Sequence, residues 1–119
     1  MLNVSINVGL LKAAECNLEA VEVFKLMKNA LRYCGQFEEW KVLQSSGGDW
    51  EPEPILWANF TVKDDVSVTT MLRTLESVCV VLHEDSIAVK VEPYGYGKLV
   101  FNPNYTGERY NFNSEYFTE

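Results

Sequence analysis

The repeated change of hydrophobic period along this chain constrains its fold more than any other feature. Leu2, Val4, Ile6, Val8 and Leu10 alternate with Asn3, Ser5, Asn7 and Gly9, and a strict two-residue period marks a strand with one buried face. From Cys16 the spacing lengthens. Cys16, Ala20, Val23, Met27, Leu31 and Cys34 lie on one side of a helix whose other side carries Glu22, Lys25, Lys28 and Arg32. Asn17 is the expected N-cap, and Gly35 suits a left-handed position ending the helix.

Phe37–Ser45 reads as a second strand with a mixed pattern that assigns neither face, and the turn-rich SSGGDWEPEP that follows reads as a loop. Alternation resumes over Ile55–Val62, with Leu56, Ala58, Phe60 and Val62 on one face and Ile55, Trp57, Asn59 and Thr61 on the other. Val68, Met71, Leu72, Leu75, Val78, Cys79 and Leu82 then return to helical spacing, with Asp65 or Ser67 as the expected cap. Ile87, Val89 and Val91 form a fourth strand, and Lys98–Phe101 comes back as a short fifth before Pro103.

Strand, helix, strand, strand, helix, strand is the order of an α+β, ferredoxin-like split β-α-β sandwich (βαββαβ), with two helices on one face of an antiparallel sheet. The expected organisation is one domain over 1–119, with a core over 1–92 and a C-terminal hairpin and aromatic arm over 93–119.

Charge narrows the partners. Seventeen Asp and Glu against ten Lys and Arg give a net charge of -7, a field that repels nucleic acid and anionic membrane and attracts basic partners. Glu38, Glu39, Asp49, Glu51, Glu53, Asp64 and Asp65 concentrate it in the middle third. The three cysteines, Cys16, Cys34 and Cys79, lack metal or disulfide spacing and read as reduced core thiols. Without a membrane span or a secretory leader, the expected location is the cytoplasm.

Catalytic signatures are missing. The single histidine, His83, stands with Glu84 and Asp85 where the second long helix should end, and is expected to interact with the helix terminus. Gly95–Gly97 and Ser46–Asp49 lack phosphate-loop spacing. Glu51 and Glu53 read as solvated loop charges, so no enzyme, cofactor or metal is expected. The open sheet face, with Trp57, lacks the basic and aromatic sequence of an RNA platform; a homodimer contact or cover by the arm explains it better.

Eight of the fifteen aromatic residues fall between Tyr94 and Phe117 among Asn, Gly and Ser, a composition suited either to protein recognition or to strapping a chain across its own sheet. The candidate binding residues are therefore Trp50, Glu51, Glu53, Trp57, Asp64, Asp65, Tyr94, Tyr96, Tyr105 and Tyr110.

The last third, DSIAVKV at Asp85–Val91, GKLVFNP at Gly97–Pro103 and FNSEYF at Phe112–Phe117, resembles small phage and mobile-element proteins with a D-x-I-A-V strand and an F-N-x-x-Y-F ending. The resemblance covers about the last 35 residues and the element order. It implies a genomic context and no catalytic residue. Joined to the charge, it suggests a non-enzymatic inhibitor that binds a basic surface on a bacterial host or defence protein. The alternative is a sensor or sponge for a nucleotide or metabolite, with a pocket at a dimer interface.

Overall fold

The computed structural model describes residues 2–44, 53–92 and 96–109, with the backbone alone described for Val66 and Tyr96. The elements are β1 (Leu2–Gly9), α1 (Leu11–Glu15), α2 (Ala20–Ala30), β2 (Gly35–Gln44), β3 (Pro54–Val62), α3 (Asp65–Leu82), β4 (Ser86–Val91) and β5 (Tyr96–Phe101). The fold is α+β: five strands form one sheet in the order β2-β3-β1-β4-β5, and every neighbouring pair is antiparallel.

Period-two alternation places the core. Val4, Ile6 and Val8 of β1 lie level with Phe60, Ala58 and Leu56 of β3 and, for Val4 and Ile6, with Val91 and Val89 of β4; all are essentially buried. The α3 stripe Met71, Leu75, Val78, Cys79 and Leu82, the α2 residues Val23 and Met27, and Leu31 just after α2 close over them. Each fully buried Val, Leu, Ile, Met or Phe among them contributes about 1.5–3 kcal/mol by leaving water.

The helix termini differ from expectation. Leu11–Glu15 forms a helix of its own, and Asn17 is no N-cap: it takes the left-handed φ of 62° that follows α1, a conformation Asn tolerates because its short polar side chain bonds locally. Glu19 caps α2 instead, its N–H donating to Glu22 Oε1 at 3.1 Å. Gly35 does not end the helix but opens β2, where a Cβ would run into the Thr61 carbonyl. Asp64, rather than the expected Asp65 or Ser67, caps α3 by accepting from Ser67 N–H at 2.8 Å.

β2 explains its own mixed pattern. Phe37 pairs with Phe60 and Glu39 with Asn59, so Glu38 is an inserted bulge residue. Phe37 before it and Trp40 after it therefore share the helix face, where Phe24 of α2 meets both rings at 5.2 and 5.1 Å.

Of the expected arm over 93–119, the described residues 102–109 fold back locally on the end of β5. Tyr105 stacks on Phe101 at 5.4 Å, and the Arg109 guanidinium lies 5.9 Å from the Phe101 ring centre. Arg109 also donates to the carbonyls of Pro103 and Tyr105 at 3.2 and 3.1 Å, closing 102–109 into a compact turn.

Candidate functional site

At the Gly9 end of the sheet, four separate pieces of chain converge on a cleft of about 460 Å³. Its sheet floor is Asn7, Ala88 and Leu99; α1 supplies Lys12 and Glu15; Glu53 enters from just before β3; Glu84 and Asp85 come from the α3–β4 junction. Backbone bonds hold the rim together, Leu10 N–H donating to Pro54 O at 3.0 Å. Gly9 matters by having no side chain. The place its Cβ would occupy lies 3.1 Å from Glu53 Oε1 and 3.6 Å from Glu84 Oε2, so two carboxyl groups overhang the same glycine.

Glu84 owes its position to the end of α3. His83 adopts a left-handed φ of 58°, and Glu84 N–H then bonds back to Cys79 O at 3.0 Å. Asn102 locks this corner, its Nδ2 donating to Glu84 O at 3.2 Å and to Cys79 O at 3.3 Å. Burial pushes the Glu84 carboxyl up to about 7; Lys12 opposes the rise, and the charges of Glu53 and Asp85 add to it. Lys12 Nζ reaches Asp85 Oδ1 at 3.2 Å, an exposed pair of small energetic weight. Among the described residues, the cleft thus holds four carboxyl side chains against one ammonium.

The residues singled out by sequence scatter. Glu53 lines the cleft. Asp64 and Asp65 stand at the opposite end of β3, about 26 Å away along the strand, so the acidic middle third is no single patch. Asp64 is held below the usual carboxylate range by its hydrogen bonds from Ser67. Trp57 is half-buried on the sheet face away from the helices, with Lys41 Nζ 4.9 Å from its ring centre. Tyr105 belongs to the turn after β5, stacked on Phe101. Trp50, Glu51, Tyr94 and Tyr110, and the Tyr96 side chain, lie outside the described residues.

Sequence reasoning missed Glu15, Glu84 and Asn102 as parts of one locality. The available signal was the polar run His83-Glu84-Asp85, of which His83 does not line the cleft. Cys16, expected in the core, is exposed, whereas Cys34 and Cys79 are buried. Burial raises the Cys79 thiol to about 12, aided by the charges of Glu84, Glu76 and Asp85.

The remaining face is less open than its strand pattern implied: Ser5 is buried, and Asn59 Oδ1 has no hydrogen-bond partner among the described residues. Among those residues no group of three or more His, Cys, Asp or Glu side chains is arranged to hold a metal ion, and no helix is long and apolar enough to cross a membrane. No protein family, curated protein or solved structure matches the chain.

Proposed function

We propose that the chain is a non-enzymatic binding protein whose acidic cleft receives a lysine or arginine side chain from a basic protein surface. One observation carries this reading: Glu15, Glu53 and the Glu84–Asp85 pair, from three separate parts of the sequence, converge on one concave site in which Lys12 is the sole lysine or arginine among the described residues. A half-buried carboxyl near neutrality is costly to ionise alone and becomes cheaper to ionise beside an arriving cation. Binding therefore expels the Glu84 proton, and affinity rises as pH climbs through about 7.

The sheet order β2-β3-β1-β4, with α2 linking β1 to β2 and α3 linking β3 to β4, supports the finer reading of a ferredoxin-like split β-α-β sandwich with β5 added at one edge. The proposed partner is a host or defence protein met in the bacterial cytoplasm. That part rests on the sequence resemblance of the last third together with the acidic charge.

The test is affinity capture from bacterial lysate at low and high salt, comparing the wild type with Glu53→Gln/Glu84→Gln/Asp85→Asn and with Asp64→Asn/Asp65→Asn. A salt-sensitive basic partner lost with the cleft variant and kept with the other supports the proposal. Retention by the cleft variant refutes it. A second reading, a small cationic ligand in the same cleft, is favoured by a volume within the range of about 300–1,000 Å³ usual for ligand pockets. It predicts thermal stabilisation by one member of a polyamine and metabolite panel.

A further inference from the structure

Among the described residues β2 is an edge strand, and Glu38–Gln44 are exposed, Trp40 at 37%, Val42 at 49% and Leu43 at 40%. A long edge carrying apolar side chains is a template for pairing with another strand. Its sequence decides which strand.

In antiparallel pairing, directly opposite side chains share a face. A two-fold axis perpendicular to the sheet must therefore lie midway between the two copies of one β2 residue. Centring on Glu39 sets Glu39 against Glu39 of the second copy, and centring on Lys41 sets lysine against lysine; both oppose like charges. Centring on Val42 shortens the overlap and leaves Lys41 opposite Leu43. The remaining central choice, Trp40, is self-complementary. Glu39 then faces Lys41 of the second copy and Lys41 faces its Glu39, on the face where Lys41 already lies over Trp57. On the helix face the two Trp40 rings meet at the axis, extending the stack that Trp40 makes on Phe24 at 5.1 Å. The bulge at Glu38 restores the phase beyond this point and brings Phe37 level with Val42 of the second copy.

We infer that two copies of this chain dimerise through β2, antiparallel and centred on Trp40, making one continuous ten-stranded sheet with register set by reciprocal Glu39–Lys41 pairs. This interface lies at the edge strand rather than on the open face around Trp57, and it is independent of the acidic cleft.

The experiment is sedimentation velocity over a wide concentration range on the wild type, Glu39→Lys, Lys41→Glu, and the double variant Glu39→Lys/Lys41→Glu, with circular dichroism reporting the fold of each. The wild type is expected to dimerise, and each single variant, which opposes like charges twice, to associate at least about tenfold more weakly. The double variant and an equimolar mixture of the two single variants both restore complementary pairs and should regain the dimer. A monomeric wild type overturns the inference. So do single variants that dimerise as well as the wild type, or a mixture of singles that stays monomeric.

Discussion

At the Val62 end of the sheet, Asp64 stands in water with its carboxylate accepting from Ser67 N–H. At the Pro54 end, Glu53 and Glu84 overhang Gly9, and burial lifts Glu84 to about 7. The same residue class is thus put to opposite uses. Asp64 is lowered because the fold supplies hydrogen bonds to the charged form, whereas Glu84 is raised because the fold withdraws solvent and adds like charges. A stretch of acidic sequence therefore does not locate a binding site; a site requires carboxyl groups from separate segments gathered on one concave surface.

The two glycines give the sharpest contrast. Gly35→Ala should destabilise by about 1–3 kcal/mol, because the new Cβ strikes the backbone of the neighbouring strand. Gly9→Ala meets only the ends of the Glu53 and Glu84 side chains, which can give way; its stability cost should stay under about 0.5 kcal/mol while cation binding falls. Denaturant melts of both variants measure the pair, and equal costs would break the comparison.

Asp64→Ala removes a helix cap and should lower the melting temperature by a few degrees, leaving binding at the far end untouched. The lowered Asp64 carboxyl contributes stability above its unfolded value, and that contribution disappears as pH falls through the folded value. Glu84 has the reverse sign. Its raised carboxyl favours the folded state below the unfolded value near 4.5, and this advantage is lost as pH rises through about 7. Glu84→Gln should therefore stabilise the protein by about 1 kcal/mol above neutrality, after allowance for solvent screening, and change little below pH 5. Thermal melts across that pH range check both signs.

The smallest predicted effect concerns the thiols. Cys16 should react with an alkylating reagent in the native protein, while Cys34 and Cys79 wait for unfolding. Mass spectrometry before and after denaturant separates them, and early labelling of Cys79 would deny the packing of the corner beneath Glu84.

Much of the fold was legible because local period reports local burial. The alternation of β1, β3 and β4 and the stripe of α3 named the buried residues directly. β2 resisted because the bulge at Glu38 reverses its phase midway, so no single alternation spans Phe37 and Trp40. α1 was missed because five residues are too short to display a helical stripe. The Glu19–Glu22 spacing was a readable cap signal, but Asn17 outranked it on propensity alone. The cleft was least legible. Glu84 looks like an ordinary residue after a helix, and its character arises only when α1, Glu53 and Asn102 arrive from elsewhere in the chain.

The most direct test of the central claim is a titration of the isotope-labelled protein with a short arginine-rich peptide, followed through backbone amide resonances. Binding in the acidic cleft predicts shifts clustered at Gly9, Lys12, Glu84, Asp85 and Ser86, stronger at pH 8 than at pH 6, with Asp64–Ser67 unmoved. Shifts centred on Asp64 and Asp65, or none at the cleft, would contradict it.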